Sequence, residues 1–545
     1  MSNSQVTEQW WRTGVVYQVY VRSFADGNGD GTGDITGLRD RLGYLNELGV
    51  DALWINPWYA SPLRDGGYDV ADYRRIDERF GTVEEVEMLI SEAHELGIKI
   101  IADLVPNHTS TDHVWFQEAL TSEPGSAARD RYIFKEGKGN DAEVPPTDWT
   151  SVFGGSTWEP VGDGTWYLHL FDVSQPDLNW ENEEVRAEFD SVFRFWLDRG
   201  IDGFRIDVAH GMVKDQDFPD VGRTVAILEV EVTENHPFWD RDGVHEINRR
   251  WRKILDSYDN RMMVAEAWVP PERLPLYLRE DEYQQSFNFD LLSAEWKASE
   301  FADIIERSVR AAEEVGAAST WVLSNHDVMR HATRYGLDAG VKWRKWPVTG
   351  PVKALDVGRG NKRARAACLI TMSLPGSTYV YQGEELGLPE VWDLPEEVLD
   401  DPTWLRSGKT EKGRDGARVP LPWKPTGESF GFGAGGSWLP QPESFGPLNA
   451  ASQADDPDSM LSLYRRATAV RSELLVDDQS FEPVDMGNDV LAYQRGSVLV
   501  VANMGPEAID MPEGEVLLSS APGSPDGPSG DSNRLEADTA VWLHK

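Results

Sequence analysis

Apolar and polar positions alternate along this chain between two periods. Residues 15–21, 51–56 and 99–105 are short runs rich in β-branched and aromatic side chains, the texture of buried strands. Between them, residues 38–48 repeat at the helical period, and a second helix opens at the N-cap Thr82 with Glu84 and Glu85 in its first turn. From about His108 to Asp177 the alternation stops in a stretch rich in Gly, Pro, Trp and Asp, too long for a loop, which predicts an inserted subdomain. It resumes with a helix at 183–197, a strand at 201–208, a helix at 246–258 and a strand at 262–268. Strands at 284–292, 320–324 and 377–382 follow, with helices at 302–315, 364–374 and 459–473.

Strand-then-helix units repeated in this way predict an α/β fold. Eight of them favour a closed parallel (β/α)8 TIM barrel over an open doubly wound sheet. Past Glu473 the texture changes to short strands at 490–494, 497–503, 515–518 and 540–543 separated by Gly, Pro and Asp, a small antiparallel β domain. The expected organisation is a barrel built from residues 1–107 and 178–473, an insert after strand three at 108–177, and a C-terminal domain at 474–545.

Composition narrows the class. Of 545 residues, 40% are hydrophobic, enough for a sizeable core, and no run approaches a membrane span. The first ten residues lack the basic and apolar regions of a signal peptide. Cys368 is alone, so there is no disulfide framework and a reducing cytoplasm is the expected location. Acids outnumber bases 93 to 52, a net charge of −41, which repels nucleic acid and anionic membranes and favours a neutral ligand.

The strand at 201–208 carries the first chemical signal. Arg205 and Asp207 share one face, while Phe204, Ile206 and Val208 share the other. Two charges on one face cannot be buried dry. Paired beside a cavity, they hold a carboxylate ionised, as a nucleophile requires, although a structural ion pair at a sheet end accounts for the same pattern. A barrel places its chemistry at the C-terminal strand ends. There the sequence collects Asp103, Asn107 and His108 after strand three, Arg205, Asp207 and His210 after strand four, Glu266 in strand five, and Asn325, His326 and Asp327 after strand seven.

The stretches Asp103-Leu-Val-Pro-Asn-His108, Gly203-Phe-Arg-Ile-Asp207, Ala265-Glu-Ala267 and Ser324-Asn-His-Asp327 resemble, in order and spacing, four motifs of the α-amylase superfamily, glycoside hydrolase family 13. Gln175-Pro-Asp-Leu-Asn-Trp180 is similar to a fifth, typical of the α-glucosidase and oligo-1,6-glucosidase branch. The resemblance implies a retaining glycosidase with Asp207 as nucleophile, Glu266 as general acid/base and Asp327 gripping sugar hydroxyls. It makes Arg205 the partner that keeps Asp207 ionised, and His108 and His326 sugar ligands. Asp65-Gly-Gly-Tyr68 resembles the segment that closes the pocket of exo-acting members, where the aspartate pairs with a late arginine that Arg418 matches. Tyr68 and Phe171 would then face the terminal glucose. The Lys-His pair of endo-acting amylases is replaced by His210-Gly211. Val208 matches a residue that accompanies α-1,6 preference in this branch, so isomaltose is expected to be favoured over maltose.

The loop Asp26-Gly-Asn-Gly-Asp-Gly-Thr-Gly-Asp34 spaces oxygen ligands at every second residue, but Gly37 stands where an EF-hand supplies its bidentate glutamate. The branch resemblance implies a structural Ca2+ on Asp26, Asn28, Asp30, Thr32 (through its backbone) and Asp34, and no organic cofactor. The leading expectation is an exo-acting α-glucosidase on short neutral α-glucosides. A sucrose or maltose transglycosylase or isomerase is the alternative. A non-catalytic barrel homologue is disfavoured because all three carboxylates are present. Oligomeric state is not readable from the sequence.

Overall fold

The computed structural model describes residues 9–223, 235–350, 352–523 and 534–545. Residues 1–8, which open the first expected barrel segment and on which most of the signal-peptide reading falls, lie outside the described residues, as do 224–234, 351 and 524–533.

Eight parallel strands form one sheet: β1 (Val15–Val19), β2 (Ala52–Ile55), β3 (Lys99–Leu104), β4 (Gly203–Ile206), β5 (Met262–Ala265), β6 (Gln285–Ser286), β7 (Thr320–Val322) and β8 (Ser377–Tyr381). Their order is β6-β5-β4-β3-β2-β1-β8-β7, so chain neighbours are sheet neighbours except β6 and β7, which are the two ends. The two ends meet through side chains. Thr320 Oγ1 donates to the Ser286 carbonyl, and Tyr379 OH donates 2.7 Å to Gln285 Oε1, which nearly closes the barrel. Val16, Trp54, Ile101, Val264, Phe287 and Val322 fill the interior as a packed plug.

Two expected elements differ. The run 284–292 is a strand only at Gln285–Ser286, because the Asn288 side chain accepts from Leu291 N–H and caps a helix at Phe289–Ser293. The helical run 38–48 is two helices, Ile35–Arg39 capped by Asp34 and Leu42–Leu48 ended by Gly49 at φ +82. An antiparallel hairpin, Tyr59–Ala60 with Asp72–Ile76, follows β2 and has no counterpart in the periodicity.

Between β3 and the helix Glu183–Leu197 the chain builds a three-stranded antiparallel sheet (Phe134–Glu136, Thr165–Leu168, Trp158–Pro160). The C-terminal sheet is five-stranded and antiparallel, with Val498–Asn503 central between Val490–Arg495 and Thr539–His544. It docks on the helix Val357–Ser373: Trp542 Nε1 donates to Leu369 O at 3.0 Å and Arg495 Nη1 to Ser373 O at 2.6 Å.

Candidate active site

Strand register brings the carboxylates together. β4 and β5 pair residue for residue from Gly203↔Met262 to Ile206↔Ala265, so the next step sets Asp207 opposite Glu266. Adjacent strands lie about 4.8 Å apart. That favours the close carboxyl spacing of a covalent mechanism, about 5–5.5 Å, over the wider inverting one. On the other side β3 sets Asp103 opposite Arg205.

Arg205 is only 1% exposed and serves all three acids. Nη1 lies 2.8 Å from Asp103 Oδ1 and 2.6 Å from Asp207 Oδ1, and Nη2 lies 2.6 Å from Glu266 Oε2. One cation against three carboxylates leaves a deficit. Burial, with the Glu266 and Asp103 charges behind it, pushes Asp207 well above the usual carboxylate range against the pull of Arg205. Asp103 is likewise pushed by burial to about 6. Arg205, 2.6 Å from Asp207 as expected of its partner, works against this upward shift. The substrate-free cluster holds a proton to higher pH than a free carboxyl would. Retaining chemistry needs that proton on Glu266 and a bare Asp207.

Glu266 is held at both oxygens. Oε1 accepts from Trp268 Nε1 at 3.0 Å, and Oε2 accepts from Val208 N–H at 3.1 Å. Val208 reaches that position at φ +48, a left-handed conformation costly for a β-branched residue.

A cavity of about 350 Å³ opens above this cluster. Asp65, Tyr68, His108, Phe171, Asp207, Glu266 and Asp327 all line it, so the expected residues do converge. Arg205 lies beneath them, and Tyr68 OH lies 3.4 Å from its Nη1. His326 is fully buried and stacks under Tyr68 at 5.1 Å, so it reaches the pocket through Tyr68 and Asp327. Its Nε2 lies 3.2 Å from Asp327 Oδ2. Burial lowers His108 to about 4, so it is a neutral hydrogen-bonding ring.

The pocket's closed end differs from expectation. Asp65 Oδ1 pairs with Arg414 Nη2 at 2.5 Å, not with Arg418. Arg418 instead donates through Nε to the His326 carbonyl at 2.9 Å and through Nη2 to Asp327 Oδ1 at 3.0 Å. Arg414 Nη1 adds a third contact, 3.1 Å from Asp327 Oδ1, and its Nε is fixed by Asp401 at 2.5 Å. Burial works against an ionised Asp327, but His326, Arg414 and Arg418 hold it well below the usual range. The two arginines flank the short helix Asp415–Ala417, whose turn aims both at the same end of the cavity. A pair of basic residues four apart was the available signal for Arg414.

Several other residues were not predicted. Trp239 and Trp268 line the cavity, and Trp239 stacks on His210 at 4.9 Å. Both His210 ring nitrogens lack hydrogen-bond partners among the described residues, and burial lowers this histidine to about 4. Gln175, within the fifth motif, donates 2.9 Å to Asp65 Oδ2. Lys214 is buried, with Nζ 2.7 Å from Asp177 Oδ2 and 2.8 Å from Asn107 Oδ1.

The loop at Asp26–Asp34 offers only oxygen donors, which suits a hard cation. Asp26 Oδ2 accepts Gly31 N–H at 2.9 Å, Asn28 Oδ1 accepts Asp30 N–H at 2.9 Å, and Asp30 Oδ1 accepts Thr32 N–H at 2.8 Å. Asp34 caps Gly37 N–H at 2.6 Å. A carboxylate oxygen that accepts one N–H keeps a second lone pair. Among the described residues, however, no three His, Cys, Asp or Glu side chains gather as a metal site. The donor chemistry fits Ca2+, while the three aspartates are not a preassembled cage.

Residues 18–478 match the family described as alpha amylase, catalytic domain. A probable alpha-glucosidase of Rhizobium meliloti (strain 1021) is 35% identical over 522 residues, covering 92% of this chain and 90% of that protein. An oligo-1,6-glucosidase of Parageobacillus thermoglucosidasius is 35% identical over 500 residues, covering 85% of this chain and 84% of its own. Among solved structures, an alpha-glucosyl transfer enzyme superposes with a TM-score of 0.84 at 33% identity, covering 98% of this chain and 100% of that one.

Proposed function

The chain belongs to the α-amylase family of glycoside hydrolases, and from that premise we propose an exo-acting, retaining α-glucosidase that releases glucose from the non-reducing end of short α-glucosides. The observation that carries this reading is the closed end of the cavity, where Arg414 ties Asp65 to Asp327. A chain passing through would have to break that bridge, so only a terminal sugar fits.

In the first half-reaction Asp207 Oδ attacks the anomeric carbon while Glu266 gives its proton to the glycosidic oxygen, which leaves with the bond's electron pair. In the second, Glu266 takes a proton from water, whose oxygen displaces Asp207 from the same carbon. Asp327, kept ionised by two arginines, accepts hydrogen bonds from sugar hydroxyls; His108 and Tyr68 frame the ring beside it. Phe171 supplies an apolar wall. Maltotetraose decides the mode: glucose, first as its α-anomer, should be the only early product, and early maltose would overturn the reading.

The same intermediate can pass to a sugar instead of water, and the relative named as an alpha-glucosyl transfer enzyme keeps that reading in play. Product analysis with sucrose and maltose separates hydrolysis from transfer or isomerisation. For linkage, Val208 lines the cavity next to Asp207, and a branched side chain there would crowd a 4-linked aglycone ring more than a 6-linked one. Isomaltose should be the better substrate, and Val208→Ala should shift the ratio toward maltose. Faster cutting of maltose by the wild type would remove Val208 as the determinant.

The Asp26–Asp34 loop is proposed to hold a structural Ca2+ through Asp26, Asn28, Asp30, Asp34 and the Thr32 carbonyl. The ion would tie the loop together and takes no part in the reaction. A cytoplasmic location is supported by Cys368, buried and free. No helix among the described residues is long and apolar enough to cross a membrane.

A further inference from the structure

A general acid works only if its proton sits on an oxygen that faces the leaving group. The two oxygens of Glu266 are not equivalent in this respect. Oε2 meets two donors, Arg205 Nη2 at 2.6 Å and Val208 N–H at 3.1 Å, and these occupy both of its lone pairs. Oε1 meets one donor among the described residues, Trp268 Nε1 at 3.0 Å, which leaves a lone pair for a proton.

Strand register places the indole that makes this bond. β5 and β6 pair Val264↔Gln285 and Ala265↔Ser286, and three further steps set Trp268 opposite Phe289. The two rings lie parallel, with centroids 3.8 Å apart and planes within 4°. Phe289 is buried and opens the helix Phe289–Ser293. The cap of that helix, Asn288, donates 2.7 Å to Ser308 Oγ on the helix Ala298–Glu314. Phe287 lies 5.8 Å from Phe289 and 5.2 Å from Trp54, which ties the stack to the barrel plug. On another side both rings border a cavity of about 390 Å³, so packing there is incomplete and the indole owes its angle to Phe289 and to its bond with Glu266. Trp268 also lines the catalytic cavity, whereas Phe289 does not.

We propose that Glu266 Oε1 is the oxygen that gives its proton to the leaving group, and that Trp268 and Phe289 are positioning residues that aim it. The inference rests on the retaining α-glucosidase reading and deepens it. In the first half-reaction the Oε1–H bond breaks and its proton goes to the glycosidic oxygen, which departs with the electron pair of the cleaved C–O bond. Glu266 is left a carboxylate, with Oε2 held by Arg205 and Val208 and Oε1 by the Trp268 N–H. In the second half-reaction the attacking water gives its proton back to the same oxygen. Phe289 acts only through the indole, by holding it at the angle from which its N–H reaches Oε1.

The test uses the full-length enzyme with p-nitrophenyl and phenyl α-glucoside, whose aglycones are similar in shape. p-Nitrophenolate leaves with little help from an acid, whereas phenolate needs the proton, so a misaimed acid slows the phenyl substrate more. Failure of the wild type to cut either one would sink the α-glucosidase reading itself, and this inference with it. Trp268→Phe keeps a ring to stack and loses the N–H. It should lower the phenyl to p-nitrophenyl ratio of kcat/KM about tenfold or more, part of the roughly 10²–10⁴-fold that a positioned acid supplies. Phe289→Leu should lower that ratio by a comparable factor, and should add nothing in a Trp268→Phe background, where no N–H is left to aim. Because Phe289 is buried, the half-buried Trp268 keeps the test decisive if the Phe289 variant fails to fold. An equal loss on both substrates overturns the proposal, since it would make the rings plain walls of the pocket. So does a Phe289→Leu effect that multiplies with that of Trp268→Phe, which would break the relay between them.

Discussion

Asp207, Glu266 and Asp103 share one guanidinium, and that shortage governs the chemistry at residue scale. The nucleophile is costly to ionise in the empty pocket, so part of its reactivity is a liability to the fold. Asp207→Asn should therefore do two things. Hydrolysis of p-nitrophenyl α-glucoside should fall by at least about 10³-fold, as removal of a catalytic group usually does. The Tm should rise, because Arg205 then answers two carboxylates instead of three. A folded variant that keeps a tenth of the rate, or one less stable than wild type, would contradict this account. Asp207, Glu266 and Asp327 were legible in the sequence because each falls at the C-terminal end of a barrel strand, within a motif that resembles those of the α-amylase superfamily; Asp207 and Glu266 directly follow β4 and β5. The Asp65 partner was not. Arg414 and Arg418 are four residues apart around a short turn, and spacing alone does not choose between them. Asp65-Gly-Gly-Tyr68 does make the tight turn its glycines suggested, with Gly66 at φ +60 and Gly67 at φ +112. A Cβ on Gly67 would lie 3.0 Å from the Pro57 carbonyl.

Among the bonds that hold the inserted segment over the pocket, those of Lys214 are the most deeply buried charged ones. Its ammonium joins Asp177 in the insert, Asn107 after β3 and the Gly211 carbonyl after β4, the last at 2.7 Å. Burial lowers the pKa of Lys214, so the cluster depends on Asp177 to keep it charged. Lys214→Met should strand a fully buried carboxylate and cost about 3–5 kcal/mol of stability, the usual price of removing one partner of a buried pair. It should also raise KM more than it lowers kcat, since Phe171 and His108 lose their common frame while Asp207 and Glu266 stay on their strands. Denaturant titration with steady-state kinetics checks both, and an unchanged KM would detach the insert from substrate binding. The Asp26 loop gives a second test at this scale. Chelation should lower Tm while the rate of the remaining folded enzyme stays nearly constant. No shift, with no bound metal by elemental analysis, would return the loop to an ordinary turn. The barrel strands were readable because their apolar runs are continuous. β6 was overread because Asn288, a capping residue, looks in sequence like one more polar position in a strand. Lys214 lay in a stretch without periodicity, where nothing signals which element a lone lysine will clamp.

Across the whole molecule, acidity is not confined to the surface. Glu384 and Glu390 are buried, and burial pushes them to about 8 and about 7. Glu384 sits where the barrel meets the closing helix, accepting from Tyr381 N–H at 3.3 Å and from Tyr464 OH at 3.3 Å. The adjacent Glu385 adds repulsion, and Arg330 only partly offsets it. The sign follows from linkage: a group whose folded pKa exceeds its unfolded value holds its proton more tightly in the fold. Its contribution is complete below the unfolded pKa, near 4.5 for glutamate, and is lost as pH rises through 7 to 8. The enzyme should therefore lose several degrees of Tm between pH 6 and pH 9. Glu384→Gln keeps the shape but has no proton to lose, so its Tm should change less over that interval. The informative quantity is the gap between variant and wild type, which should widen in the variant's favour toward pH 9. Added salt should raise both curves together by screening the excess surface charge and should leave that gap in place, because a buried carboxyl is poorly screened. A gap that stays constant with pH would mean that Glu384 is ionised in the folded enzyme and that alkaline sensitivity arises at the surface; a gap that closes in salt would place it there as well.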